Sequence, residues 1–482
     1  MLNHSELEVL RTNAYPESCL QQLTTEWRRC IEADNTQYFV IDDDPTGGQT
    51  VHDVPVFTAW DEEHIRRAFL TESRLLYIMT NSRSMTSQET SSVHKVLLEN
   101  IRKQAAALNR KYEIISRGDS TLRGHYPLET DLIKSVTPSP VKELLIPMFP
   151  EGERITVGDV HYLLDNEKWI PCSESDYAQD KTFGYQNADL RQWIVEKSNG
   201  RYTLDRIGSV SLELLRSQDY EKIEAILTSE QYDQIIVNAV VYEDLKVFSV
   251  AYFHASQQGI HFVARTAAAW PRIIGGIDTT KLLSPAQLLP PSSSNGGLII
   301  VGSHVKKTTQ QLLRLLQNDT LAAIEFNQHL ILDSVQIAQE IRRVAETATE
   351  KLRSGCTVVI HTKRERLDLA SESEEAQLRI TNQISQAFTS CISQIQVCPA
   401  FVITKGGITS SDILVRAMRT SEATILGQIY PGVPIWKLSS GSKFPDMPFI
   451  IFPGNVGHND TLANIVDQFC SAISKKAKEN PS

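Results

Sequence analysis

Tyr38-Phe39-Val40-Ile41-Asp42-Asp43-Asp44-Pro45-Thr46-Gly47-Gly48 joins an apolar run, three carboxylates and a glycine turn in one unbroken stretch. An apolar run that stops in such a turn reads as a buried strand. Three adjacent acids repel one another, so holding them at a strand end costs free energy unless a cation, hydroxyl donors or backbone amides offset it. Clustered charge here points to a metal, a general base or hydroxyl recognition. The plainer reading is an acidic turn in which Asp44 or Thr46 caps the next segment.

Outward from this stretch, short apolar runs alternate with amphipathic stretches of helical length, the pattern of parallel sheets covered by helices. Strands are expected at 38–42, 54–58, 75–80, 112–116, 143–147 and 235–239, and in the second half at 298–301, 356–360, 400–403 and 448–452. Thr86-Ser87-Gln88-Glu89 has capping-box spacing and opens a helix to about Leu108. Residues 167–230 are less regular and read as an insert or a subdomain edge. Leu288 to Gly297, rich in Pro, Ser and Gly, is the clearest linker. The expected fold is therefore α/β, with two domains, each a largely parallel sheet flanked by helices, and a cleft between them. The boundaries are 1–287 for the first domain, 288–297 for the linker and 298–482 for the second.

Bulk properties narrow the classes. A chain of 482 residues exceeds what one core usually serves, and 41% hydrophobic with 22% charged residues is ordinary globular composition. A formal charge of -10 argues against nucleic-acid or anionic-membrane surfaces. The seven cysteines are scattered without C-x-x-C spacing and read as reduced thiols of a cytoplasmic protein. The start of the chain lacks the basic and apolar segments of a secretory signal, and no apolar run approaches bilayer length.

Three polar groups follow expected strands in the first domain: Asp42 to Gly48, Asn81-Ser82-Arg83-Ser84, and Ser116-Arg117-Gly118-Asp119-Ser120-Thr121-Leu122-Arg123-Gly124. In open parallel sheets ligands settle beyond the carboxyl ends of strands. Arginine forks suit a carboxylate and Asp or Asn suits vicinal hydroxyls, so a small polyhydroxy acid satisfies the set. Pro147 to Arg154 reads as a rigid loop whose Glu151 and Arg154, with Asp159 and His161, are further candidates for the same cleft. In the second domain glycine turns follow strands at Gly302-Ser303, at Gly406-Gly407 before Ile408-Thr409-Ser410, and at Gly454-Asn455-Val456-Gly457. Glycine lets backbone amides approach phosphate oxygens, which suggests a nucleotide cradle. Neither a P-loop nor a G-x-G-x-x-G fingerprint is present. Lys363-Arg364-Glu365-Arg366 follows another strand and reads as a solvated charged loop with a lesser claim on phosphate.

These motifs resemble the four-carbon acid sugar kinase family over nearly the full length. Asp43-Asp44-Pro45-Thr46-Gly47 is similar to that family's D-D-x-T-G turn, and Arg117 to Gly124 to its (K/R)-x-D-S-T-L-R-G segment. Pro150-Glu151-Gly152 through His161-Tyr162, Gly406 to Thr409, Pro431-Gly432-Val433-Pro434 and Gly454 to Gly457 resemble further motifs. The resemblance implies an amino-terminal domain for the sugar acid and a carboxyl-terminal domain for ATP. It implies sugar-acid contacts at Asp43, Asp44, Arg117, Asp119 and Arg123, and nucleotide contacts at Ser303, Gly406, Gly407, Ile408, Thr409 and Gly454, with Asn455 in the same turn. Two positions depart from the family pattern: Ile408 replaces an acid, and Phe452-Pro453 replaces Lys-Ser.

The expected activity is ATP-dependent phosphorylation of a hydroxyl of a four-carbon sugar acid. Asp43 or Asp44 takes the proton, Arg83, Arg117, Asp119 and Arg123 bind the acid, and magnesium enters with ATP. No protein metal ligand is assigned, and a homodimer is compatible with the sequence. One alternative is a magnesium-dependent phosphatase with Asp42 as nucleophile, because Asp42-x-Asp44-x-Thr46 resembles the first haloacid-dehalogenase motif. Another is a non-catalytic sensor of sugar acid or nucleotide.

Overall fold

In the computed structural model, which describes residues 4–12, 14–165, 167–290, 295–365, 367, 374–454 and 456–479, the run before the three acids is a strand, Gln37–Asp42 (β1), buried along its length. It is followed by Val54–Phe57 (β2), Leu75–Met79 (β3), Tyr112–Arg117 (β4), Val141–Ile146 (β5), Arg154–Val157 (β6), Val160–Asp165 (β7), Lys168–Pro171 (β8), Ile207–Val210 (β9), Gln234–Val237 (β10) and His261–Thr266 (β11). The main sheet of this first unit runs β2-β3-β1-β4-β11-β5-β10-β9, and every one of these neighbours pairs in parallel. Parallel strands carry helices on both faces, which is why their sequences are near-continuous apolar runs. β6, β7 and β8 form a small antiparallel sheet.

The order of this sheet places the site. From β1 the chain builds toward β3 and β2 on one side and toward β4 on the other, so the topology reverses at β1 and β4. Loops at such a reversal diverge and leave a crevice at the carboxyl ends of the strands. Asp42 to Gly48, Asn81 to Ser84 and Ser116 to Gly124 all leave strands there. The helix Ser87–Leu108 opens on the expected capping box, with Glu89 N donating to Thr86 Oγ1 at 3.2 Å and Thr86 N to Glu89 Oε2 at 2.8 Å.

The second unit contains Leu298–Val301 (β12), Ala322–Phe326 (β13), Val358–Thr362 (β14), Val402–Lys405 (β15), Glu422–Tyr430 (β16), Val433–Leu438 (β17) and Pro448–Phe452 (β18). Its order is β13-β14-β12-β15-β18-β17-β16, parallel from β13 to β18 and antiparallel beyond. Here the reversal falls at β12 and β15, which brings Gly302-Ser303 beside Gly406.

Several expectations shift. Residues 167–230 belong to the first unit's core: β9 closes its sheet edge, and Trp193, Ile194 and Ile207 pack with Leu122, Tyr126 and Leu145. β11, β13, β16 and β17 were not expected as strands. β11 carries Arg265 inside an otherwise apolar run, and β16 and β17 are a hairpin closed by Pro431-Gly432. The compact units divide between Thr280 and Lys281. The segment after Thr280 packs on the second unit, where Leu283 N donates to Gln428 O at 2.8 Å and Leu289 joins the core. Residues 291–294 of the expected linker lie outside the described residues. Among the described residues no helix is long and apolar enough to cross a membrane.

In the second unit Phe401 stacks on Phe469 with ring centroids 4.1 Å apart, and both are buried with Ile299, Leu312 and Val466. Phe401→Ala should cost that unit about 3–5 kcal/mol, because the lost transfer energy adds to the cavity left behind. Urea unfolding followed in the second unit's transition measures it, and a loss below about 1 kcal/mol would contradict this assignment of the core.

Candidate functional site

At the reversal in the first unit the expected residues meet as one network. The carboxyl of Asp43 receives both Arg83 Nη2 at 2.5 Å and Arg83 Nε at 3.1 Å, a paired fork. The same guanidinium reaches Asp44 Oδ2 at 3.3 Å and lies 3.9 Å from Asp119 Oδ1. Arg117, arriving on β4 opposite β1, donates from Nη1 to Asp42 Oδ1 at 3.1 Å and lies 3.7 Å from Asp43 Oδ1. Arg123 Nε donates to Asp119 Oδ2 at 2.7 Å, and its guanidinium stacks 4.9 Å from the ring centre of Tyr177.

The network is layered. Asp42, Asp43 and Arg117 have side chains only 2–4% exposed, whereas Asp44, Asp119, Arg83 and Arg123 keep 13–22%. Burial pushes the Asp42 carboxyl up to about 7, against the pull of Arg117 and with the repulsion of Asp43 and Asp44 added. Burial also raises Asp43, with Arg83 the strongest opposing charge. At Asp119 burial acts upward too, but Arg123, Arg83 and the Thr121 hydroxyl outweigh it and hold the carboxyl below its ordinary range.

Sequence reasoning missed a supporting arginine. Arg265 on β11 donates to Glu129 Oε2 at 3.3 Å, Ser116 Oγ at 3.4 Å and Arg123 O at 3.0 Å, and thus ties the 116–124 loop to the sheet. A Cβ on Gly118 would stand 1.9 Å from its Nη1, so any side chain there would displace the Arg265 guanidinium. The one signal in the sequence was a charged residue at the end of an apolar run. The candidates beyond Pro147 serve structure. His161 is fully buried, faces Ser120 O through Nε2 at 2.8 Å, and burial pulls it down to about 4. Asp159 Oδ1 accepts from Ser209 Oγ at 2.5 Å and Asn238 Nδ2 at 2.8 Å. Glu151 accepts from Tyr242 at 2.7 Å and Arg272 at 3.3 Å. Arg154 donates from Nη1 to Gly152 O within its own loop.

In the second unit the glycine turns also converge. A Cβ on Gly406, whose φ is 108°, would come 2.8 Å from Ser303 Cβ, and one on Gly302 would come 2.6 Å from Thr409 Oγ1. Gly454 lies against the hydroxyls of Thr308 and Ser303, and Thr308 Oγ1 donates to Gly454 O at 3.3 Å. Gln311, a turn further along the helix Lys306–Leu315, donates to Val456 O at 3.1 Å and His458 O at 2.8 Å. Ser303, Gly406, Thr409 and Gly454 therefore converge as one cluster of glycine turns and hydroxyls. Gly407 and Ile408 enter the helix Gly407–Asp412. Only the backbone of Ile408 is described, and Asn455 lies outside the described residues.

Two family models match the chain: a sugar-binding N-terminal domain at residues 38–272 and a nucleotide-binding C-terminal domain at residues 298–462. A D-erythronate kinase of Heliobacterium modesticaldum is 23% identical over 414 residues, covering 83% of this chain and 88% of its own. Among solved structures, a Salmonella typhimurium protein provisionally described as a tRNA synthase matches at a TM-score of 0.66 and 15% identity, over 90% of this chain and 98% of its own. A Haemophilus influenzae protein from a family of unknown function matches at 0.57 and 18% identity, over 89% and 99%. At these identities the two structures establish the shared fold.

The raised Asp42 carboxyl makes a signed prediction. Between roughly pH 4 and 7 the unfolded chain has released this proton while the folded protein keeps it, so the contribution of Asp42 to stability is largest at acid pH and falls as pH rises. Asp42→Asn cannot ionise. Its stability relative to the natural protein should climb across that window and level off above it. Urea titrations of both proteins at several pH values read this directly, and a difference that stays flat with pH would contradict a buried, late-ionising Asp42.

Proposed function

We propose, for a chain that belongs to the four-carbon acid sugar kinase family, that it transfers the terminal phosphate of ATP to a hydroxyl of a four-carbon sugar acid, with Asp44 as the base. The sugar-binding and nucleotide-binding domains and the kinase relative support a sugar-acid kinase in general terms. The choice of Asp44 rests on the layering of the first unit's network. Asp43 spends both carboxyl oxygens on Arg83 and is buried, whereas Asp44 keeps an exposed edge and is held by Arg83 on one oxygen and by the Thr46 N–H at 2.8 Å on the other.

In this reading Asp44 accepts the proton of the substrate hydroxyl as its oxygen attacks the terminal phosphorus. The bond from that phosphorus to the bridging oxygen breaks, and ADP leaves. Arg83 and Arg123, at the open edge, orient the acid, and Asp119 takes hydrogen bonds from its other hydroxyls. Arg117 and Asp43 set the floor on which these groups stand. The converging glycine turns of the second unit seat the nucleotide, and magnesium would come with it, since phosphate oxygens and water supply most of its ligands. The ion would screen phosphate charge during transfer.

Asp42 suits a phosphatase nucleophile poorly. It is buried, its Oδ1 accepts from Arg117 and the Asp44 N–H, and Gly47 packs directly on its carboxyl. A nucleophile needs an open line to phosphorus.

A coupled ADP-release assay over threonate, erythronate and oxo-tetronates tests the proposal. At least one acid should be turned over, and Asp44→Asn should lower kcat by about a hundredfold to ten-thousandfold with little change in nucleotide KM. No turnover on any acid together with no nucleotide binding would reject the function. Turnover that survives Asp44→Asn would reject the role of that residue.

A further inference from the structure

The carboxyl edge of the second unit's sheet gathers positive charge that is paired with no acid among the described residues. Arg364, on the loop after β14, donates from Nη2 to Ser303 O at 2.6 Å and Thr309 Oγ1 at 2.8 Å, and its Nε is buried without a hydrogen-bond partner. Lys405, the last residue of β15, is wholly buried, with its ammonium on the carbonyl of Pro453 and 4.0 Å from the ring centre of Phe452. Lys307, in the first turn of the helix Lys306–Leu315, is near enough for its charge to act on Lys405. None of the three is paired to a carboxylate among the described residues.

Burying an unpaired ammonium such as Lys405 is costly, and the part-exposed Lys307 and Arg364 add like charge at the same sheet edge. Burial, and then the charge of Lys307, pull the Lys405 ammonium down to about 6. The chain as a whole is acidic, with a formal charge of -10, yet these cations are paired with no carboxylate among the described residues. The geometry assigns these cations a ligand. The Ser303 carbonyl that Arg364 holds follows β12, and the Pro453 carbonyl that Lys405 holds immediately precedes Gly454, so both side chains anchor the turns that carry Ser303 and Gly454.

We propose that Arg364 and Lys307 contact the phosphate chain of the nucleotide and that Lys405 is a positioning residue beneath it, fixing the Pro453-Gly454 turn. This rests on the nucleotide reading given above and names the part of that site that discriminates phosphates. It also explains how a site without a P-loop lysine would balance a polyphosphate: the charge would come from the loop after β14 and the helix after β12. Arginine suits this use because its fork meets two phosphate oxygens at once.

Isothermal titration of the full chain with ADP and with adenosine tests the inference. Arg364→Gln, on a half-exposed loop, and Lys405→Met, an apolar replacement of similar length, should each weaken ADP by about tenfold to a hundredfold and leave adenosine within about twofold. A role confined to folding would weaken both ligands alike. Arg364→Gln carries the test without altering the core, and Lys307→Gln should show the same ADP-selective loss. Variants that bind ADP as the natural protein does would overturn this proposal while leaving the kinase reading standing. A natural protein that binds neither ADP nor ATP would overturn both.

Discussion

Carboxylates crowded at one strand end must be neutralised where they stand, and the first unit is built around that constraint. Asp42, Asp43, Asp44 and Asp119 are met by Arg83, Arg117 and Arg123, so every acid touches a guanidinium and each of Arg83 and Arg117 touches more than one acid. Removing a single partner from such a buried lattice leaves a charge without solvent or counter-ion, a change that typically costs about 3–5 kcal/mol. The loops that carry these residues are therefore fixed relative to one another before any ligand arrives. Pre-positioned polar groups lower the reorganisation a reaction requires, which is the property a phosphoryl-transfer site needs most.

The two units solve the same topological problem with opposite electrostatics. Each reverses its strand order in mid-sheet, and each places polar loops at the carboxyl side of that reversal. In the first unit the acids and arginines nearly cancel, which suits a ligand recognised through hydroxyls as much as through charge. In the second, Arg364, Lys307 and Lys405 stand without acids among the described residues, and the surrounding walls are glycines and hydroxyls. Under the proposed function, the balanced network would meet an acceptor with several hydroxyls and the cationic edge a polyanionic donor.

Much of this was legible in the chain, for physical reasons. β1, β3, β4, β12 and β18 are continuous apolar runs because parallel strands are covered on both faces, and such runs stand out from their polar loops. The Asp42 to Gly48, Arg83 and Arg117 to Gly124 groups were readable as one site because each follows such a strand. β11 was missed because Arg265 and Thr266 interrupt its apolar character, and their compensation, Glu129 and the Ile146 carbonyl, comes from distant segments. β9 was missed because its Ile207-Gly208-Ser209-Val210 is too short to stand out from the polar region around it. Which of Asp43 and Asp44 is open to a ligand depends on the reach of Arg83 from another loop, and spacing along the chain carries no trace of that.

The least legible residue, Lys405, shows how a local reading can mislead in the direction of absence. Phe452 and Pro453 stand where the related family carries Lys-Ser, and read alone they remove a positive charge from the edge of β18. The pairing of β15 with β18 sets Lys405 directly across from Phe452. The lysine's Nζ lies over the Phe452 ring, whose face attracts a cation, and donates a hydrogen bond to the Pro453 carbonyl. A proline at that point has no N–H to donate to a ligand, so what it contributes to the edge is an acceptor. Aromatic face and carbonyl together form a seat for a buried ammonium one strand away. Charge at a sheet edge is a property of the register between strands, and a substitution on one strand acquires its meaning from the residue opposite.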